Sequence, residues 1–232
     1  MNQHTHSQQK GFSLVELMIA LVVGLMLTAG VIRIFIANKQ TYRVADANAR
    51  IQENARFAIE ILGRHLRLTG YRDTNNVSTD FSSTFPAVSF SGYNFAAGEV
   101  IRGTDNEVIV RYQGDGNITD CEDNSLITAG NEVVSRLFLN AGSLRCATNV
   151  DAAGDQPLIS DVSSMLVRYG IDTDGDGTAD RYDRTAGVTD WRQVVSIRVT
   201  LTLQAADLNT SVTGGNLQKT YTTTIGLRNL LP

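Results

Sequence analysis

Tryptophan, cysteine, proline and histidine are scarce in this 232-residue chain, at 1, 2, 3 and 3 residues. Two cysteines are too few for a disulfide-framework miniprotein or a four-cysteine zinc site, and no Cys-x-x-Cys redox pair is present. Three prolines among 42% hydrophobic residues exclude disorder for most of the length. His4 and His6 lie near the start, which leaves His65 at the end of a predicted helix, packed or exposed rather than catalytic. Neither a Gly-x-Ser-x-Gly elbow, a phosphate-binding loop nor a His-rich zinc spacing occurs. Carboxylates are plentiful, yet nothing in the sequence converges them on a cleft, so the chain reads as no enzyme. Charged residues make up 19%, below the roughly 25% of ordinary soluble domains. The net charge of -4, from 20 Lys+Arg against 24 Asp+Glu, provides no basic face for nucleic acid. The length suits one domain, or one domain with an appendage.

What is present is distributed unevenly, and a mean hydropathy of -0.09 conceals it. Residues Met1–Gly11 are polar, with Lys10 as their only Lys or Arg. Phe12–Ala37 follows as FSLVELMIALVVGLMLTAGVIRIFIA, in which only Gly24, Thr28 and Gly30 interrupt the apolar run between Leu17 and Ile32. The 25 residues from Phe12 to Ile36 make a helix of about 37 Å at roughly 1.5 Å per residue. That length crosses a bilayer core of about 30 Å. A secretory signal has a shorter apolar region, about 7–15 residues ending at a small-x-small cleavage site. An uncleaved anchor fits poorly with Glu16, a carboxylate inside the apolar run that costs about 2.5–3.5 kcal/mol at mid-helix, less near an end, and is usually functional. A carboxylate snorkelling to the membrane face is the plainer alternative for Glu16.

Lys10-Gly11-Phe12-Ser13-Leu14-Val15-Glu16 resembles the class III signal of type IV pilins and type II secretion pseudopilins. The resemblance implies that prepilin peptidase cuts between Gly11 and Phe12 and that Phe12 is N-methylated. It also implies that Glu16 faces the N-terminal amine of a neighbouring subunit during assembly. Orientation by positive charge alone, Lys10 and the amino terminus against Arg33, Lys39, Arg43 and Arg50, favours a cytoplasmic C-terminal part. The resemblance places that part in the periplasm, on an inner-membrane anchor that later enters a filament.

From Lys39 to Leu68 there is no proline and only Gly63 as glycine. Val44, Ala47, Ile51, Ala55, Ala58, Leu62 and Leu66 step by three or four along one helix face, and Ile59 widens it. Thr69-Gly70 is a stop signal. One helix over Phe12–Leu68 is therefore expected, apolar all round in its first half and amphipathic in its second, with a free coiled coil as the alternative for the latter. Gly24 and Gly30 stand where many major pilins carry a proline, and glycine would permit local melting of the helix.

Beyond Tyr71 the texture becomes β-branched runs between Gly/Asn/Asp/Ser turns, which predicts strands at Glu107–Gln113, Val133–Asn140, Ser143–Ala147, Ser163–Gly170, Gln193–Gln204 and Thr220–Leu227. Asp73–Gly98 has no clean period and reads as an irregular excursion. The expected fold is α+β, an amphipathic helix laid on one antiparallel sheet. The expected segments are a leader, 1–11; a membrane or filament-core half-helix, 12–37; an amphipathic half-helix, 38–70; and a periplasmic head, 71–232.

Arg64-His65-Leu66-Arg67-Leu68-Thr69-Gly70-Tyr71-Arg72, Tyr112-Gln113-Gly114-Asp115-Gly116, Cys121, Trp191 with Val194-Val195-Ser196, and Thr224-Ile225-Gly226-Leu227-Arg228-Asn229 occur in order over most of the chain. This resembles the PilW group of minor pilins. The resemblance implies a part in pilus assembly, priming or tip formation, with other minor pilins and the major pilin as partners. The J class of minor pseudopilins shares part of the pattern and is the alternative. A calcium-dependent adhesive tip module that binds a surface receptor is a further alternative.

Asp172, Asp174, Asp176, Asp180 and Asp183 stand at positions 1, 3, 5, 9 and 12 of an EF-hand-type loop, with Gly177 at position 6 and Thr178 offering its carbonyl at position 7. Asp183 replaces the usual Glu, and the flanks read as strands or loops, so a calcium loop without the two helices is expected. A solvated Asp-Gly turn is the alternative. Asp115-Gly116-Asn117 with Asp120 is a second acidic turn without the full spacing. In a periplasmic domain Cys121 and Cys146 are expected to pair as a disulfide, two buried thiols being the alternative.

Overall fold

The computed structural model describes residues 11–73, 75, 80–121, 126–150, 154–205 and 217–230. The expected leader, 1–11, lies outside the described residues except for Gly11. The chain divides into two units, Met1–Asp46 and Ala47–Pro232.

Helix α1, Leu14–Arg67, begins in the first unit. It opens where Ser13 Oγ accepts the Glu16 backbone N–H at 3.2 Å, satisfying one of the donors that a helix start leaves over. The helix is continuous through Gly24 and Gly30, and the Thr28 hydroxyl donates back to the Gly24 carbonyl at 2.8 Å. Every large apolar side chain from Phe12 to Ile36 is exposed. The segment is long and apolar enough to cross a membrane, with a mean hydropathy of 2.5 over its most apolar window.

In the second unit α1 turns one face inward. Ala47, Ile51, Ala55, Ala58, Ile61, Leu62 and Leu66 are buried, and Gly63 and His65 lie among them. Ile61, one residue round from the expected stripe, widens the face, while Ile59 is half-buried. The outer face carries exposed Glu53, Arg56 and Glu60, which pair at 2.6 and 3.5 Å. The helix stops at Gly70, whose φ of 72° lies in the left-handed region and whose N–H donates to the Arg111 carbonyl at 2.8 Å.

The expected strands are all found, but in two sheets rather than one. The first is antiparallel in the order β3 (Ile101–Gly103), β4 (Glu107–Gln113), β5 (Glu132–Asn140), β6 (Ser143–Thr148) and β7 (Gln156–Ile159). The second runs β11 (Gln218–Gly226), β10 (Val194–Gln204), β8 (Val162–Ile171) and β9 (Arg181–Asp183). In β10, Ile197, Val199, Leu201 and Leu203 are buried, while Arg198 is exposed and Thr200 and Thr202 are half-buried, the alternation of a sheet with one covered face. Both sheets and the α1 face share one core, in which Val108, Val110, Tyr112, Val133 and Leu137 meet Val167, Tyr169, Ile197, Leu62 and Leu66. Hydrogen bonds between the sheets include two from β8. The Tyr169 hydroxyl donates to the Thr104 carbonyl at 2.8 Å, and the Val167 N–H to the Asp105 carbonyl at 2.7 Å.

The excursion expected at Asp73–Gly98 is ordered where it is described. A one-turn helix, α2 (Phe81–Thr84), precedes a hairpin of β1 (Val88–Phe90) and β2 (Tyr93–Phe95). Val88, Phe90, Tyr93 and Phe95 pack with Ile109 and Val134, on the opposite face of the first sheet from α1. This covering makes β4 buried on both faces, Arg111 included.

Candidate functional site

Three features carry the chemistry. At the N-terminus, Gly11 and Phe12 precede the helix and are exposed, and Glu16 sits in its first turn among exposed Val15, Leu17 and Ile19. A carboxylate in an apolar sleeve of this kind requires a partner once the sleeve leaves water.

The second feature is the loop between β8 and β9. Asp172, where β8 ends, is buried, and its carboxylate accepts the N–H of Gly175 at 2.6 Å and of Gly177 at 2.8 Å. Both glycines have φ above 80°, which folds the loop back over Asp172. Asp174 accepts the Asp176 N–H at 3.3 Å, and Asp176 accepts the N–H and hydroxyl of Thr178 at 2.7 and 2.6 Å. The result brings carboxylate oxygens of Asp172, Asp174 and Asp176 within 4.8 Å of one another. Asp180 lies across the loop and accepts the N–H and hydroxyl of Thr173 at 2.8 and 2.5 Å. Asp183 is in β9 and pairs with Arg181 at 2.7 Å. The structure therefore gathers positions 1, 3 and 5 of the expected ligand set, keeps position 9 within the loop, and engages position 12 with an arginine.

The electrostatics of the trio are divided. Amide donation from Gly177 and Gly175 holds the Asp172 carboxyl below its ordinary value. Donation from the Asp176 N–H pulls Asp174 down, but the charges of Asp176 and Asp180 together with burial outweigh it and leave Asp174 raised. Thr173 lowers Asp180 through its hydroxyl and its N–H. The donors are all oxygen, crowded and mutually repelling, and such a set fits a hard dication such as calcium rather than zinc.

The third feature is the disulfide between Cys121 and Cys146, with Cα atoms 6.1 Å apart. Cys146 lies in β6 opposite Leu137, and both sulfurs are buried in the main core. The bond ties the segment after β4 to the first sheet. Reduction, or Cys121→Ser, is expected to destabilise the protein by about 3–4 kcal/mol. Urea unfolding of the full chain in detergent, with and without reductant, measures it.

Sequence reasoning missed one concavity. A cleft of about 360 Å³ is lined by Phe81, Ser82, Gly98, Val100, Trp191, Arg192, Asn229 and Leu230. Its neighbour of about 490 Å³ runs from Arg192 and Leu230 to Asp172–Gly175. Arg192 and Leu230 border both. Only Trp191, a lone indole before an alternating strand, marks it in the sequence; its ring meets Tyr169 edge-on at 4.8 Å. The second acidic turn is held differently: Asp115 accepts the N–H groups of Asn117 and Ile118 and the Tyr71 hydroxyl, at 2.8, 3.0 and 3.0 Å.

Comparisons with known proteins agree with this architecture. The family described as Type IV Pilus-assembly protein W matches residues 127–218, which hold β5 to β10 and the acidic loop. The prokaryotic N-terminal methylation motif matches residues 6–32. Among solved structures, a type IV-like pilin from Thermus thermophilus superposes with a TM-score of 0.51 at 13% identity, covering 79% of this chain and 98% of that one. At that identity the likeness is one of fold. No curated protein matches the sequence.

Proposed function

We propose that the chain, which matches the PilW family over residues 127–218 and the N-terminal methylation motif over 6–32 and has the fold of a type IV-like pilin, acts as a minor pilin in the priming or tip of a type IV pilus. The observation that carries this reading is the joint occurrence of the methylation motif at 6–32 and the PilW match at 127–218 on one pilin fold. Prepilin peptidase releases the polar leader between Gly11 and Phe12. The apolar half of α1 then has two environments that cover its exposed side chains, the inner membrane and a bundle of like helices. The sheets and the second half of α1 form a periplasmic head that contacts other minor pilins and the major pilin. The work is non-covalent.

A deletion strain complemented with this gene tests the proposal. Loss of surface pili and of twitching on deletion, restored by the full-length chain, is the expected outcome. Normal piliation and twitching with lost release of exoproteins would assign the chain to a secretion pseudopilus instead.

Calcium is part of the proposal. Asp172, Asp174, Asp176, Thr178 and Asp180 supply the oxygen donors, with Asp183 recruited from its pairing with Arg181 as the loop closes. The ion would relieve the repulsion that raises Asp174. With free calcium near 100 times Kd, the head is expected to gain about 2.7 kcal/mol, on the order of 5–10 °C in Tm. Asp172→Ala with Asp174→Ala removes the gain. A calcium-independent melt of the unmutated protein would discard the site. Adhesion through the head would appear as calcium-dependent retention of piliated cells on a host or abiotic surface.

A further inference from the structure

The second sheet ends in an edge unlike the others. The two large sheets have four edge strands among the described residues. Of these, β3 and β9 have three residues each, and β7 has four and includes Pro157. Short or proline-bearing strands are how proteins keep an edge from pairing with foreign chains. In contrast, β11 has nine residues and no proline, and it pairs with β10 through nine consecutive positions without a bulge. Alternate N–H and C=O groups of such a strand point away from its one neighbour. Among the described residues no hydrogen bond reaches β11 from that side.

The chemistry of the sheet says what would cover it. Strands β8, β10 and β11 have neither Asp nor Glu, and their outward face carries Arg168 and Arg198, while Lys219 stands opposite buried Leu203 on the other face; the chain total is -4. Arg198 and Arg168 stand directly opposite each other on the outward face, an arrangement of like charges that is unfavourable without an anion. Arg198 spans the outward face: its Nε donates to the Thr224 hydroxyl of β11 at 3.2 Å, while its guanidinium lies 3.9 Å over the ring of Tyr182, in β9 on the other side of β8. Beside it, the Thr222 and Thr220 hydroxyls contact those of Thr200 and Thr202 at 3.0 and 3.1 Å. An added strand would extend these hydroxyl rows.

We propose that β11 receives an extended acidic segment of another protein subunit as a fifth strand, its backbone bonding the open edge and its carboxylates reaching Arg198 beside Thr224. A second copy of β11 does not meet this need, because it brings Lys219 and no carboxylate. Strand addition takes affinity from the backbone and specificity from alternate side chains, so the occupant is proline-free as well as acidic. The proposal stands on the edge and its charge, independently of the filament role.

The test uses full-length protein in detergent micelles and the synthetic acidic strand peptide TEVTVEVT. Binding is expected to slow amide exchange about tenfold in β11, to disappear when alternate peptide amides are N-methylated, and to weaken about tenfold in Arg198→Ala. Absence of binding, or equal binding of the N-methylated peptide, overturns the proposal. It is equally overturned if protein alone protects β11 as its concentration rises, which would make a second copy the occupant. Displacement of the peptide by a short DNA duplex would assign the basic face to nucleic acid and overturn it as well.

Discussion

Replacing Arg111 with leucine is expected to remove about 3–5 kcal/mol of stability, on the order of 10 °C in Tm. The side chain is fully buried, and its donors are distributed over three partners. Its Nε meets the Glu132 carboxylate at 2.5 Å, one terminal nitrogen donates to the Glu99 carbonyl at 2.7 Å, and the other to the Pro86 carbonyl at 2.6 Å. The guanidinium carbon lies 5.5 Å from the Phe85 ring centre and 5.2 Å from that of Phe95. A charge in such surroundings is costly by itself and tolerable only because every contact is made. Leucine matches the aromatic walls but leaves a carboxylate and two carbonyls without their donor, and that desolvation is what destabilises. Exposed Arg56 provides the contrast: its pairs with Glu53 and Glu60 lie in water, and Arg56→Ala is expected to change stability by less than about 0.5 kcal/mol. Urea unfolding of the full-length protein followed by near-UV circular dichroism measures both. Replacing Arg111 and Glu132 together with leucine is expected to recover part of the loss. A loss below about 1 kcal/mol in Arg111→Leu would refute the assigned role.

Arg111 also marks the boundary of what is legible in the sequence. The alternation in Glu107–Gln113 identifies β4 and its register, and places Val108, Val110 and Tyr112 inward. It equally places Arg111 on the outer, solvent-facing side. What buries that side is the hairpin Val88–Phe95, whose three-residue strands are too short to show a period. Its effect is non-local, because Phe95 packs on Ile109 and Val134. The division into two sheets was hidden for the same reason. Strands announce themselves through their own alternation, but which of them pair depends on turns and on contacts such as Tyr169 to Thr104, 65 residues apart. The helix and the acidic loop were readable because their signals are local: a proline-free periodic run closed by Gly70, and aspartates two apart broken by Gly175 and Gly177. The pairing of Asp183 with Arg181 was not readable, because it depends on where β9 begins, and spacing within the loop carries no sign of that.

Glu16→Leu is expected to leave the protein in the membrane at normal abundance while reducing its incorporation into filaments about a hundredfold. In lipid the glutamate is a burden of about 2.5–3.5 kcal/mol if it sits near the helix centre, and less toward the end. The substitution removes that burden, so the monomer becomes more content where it is. With the proposed cleavage before Phe12, the same carboxylate would meet the new amine of a neighbour in the helical bundle, and a paired charge in low dielectric holds more strongly than in water. Glu16 thus raises the free energy of the start and lowers that of the end. Leucine reverses both changes, and a combined difference of about 2.7 kcal/mol corresponds to two orders of magnitude in partition. Ser13, which caps the helix by accepting the Glu16 N–H, is untouched by the change, so helix formation is preserved. Quantitative blotting of sheared filaments against membrane fractions gives the ratio. Glu16→Gln separates charge from size: it is expected to fail as leucine does if the ion pair drives extraction. Normal filament incorporation of Glu16→Leu would show that the carboxylate merely snorkels to the membrane face and that assembly proceeds on apolar packing alone.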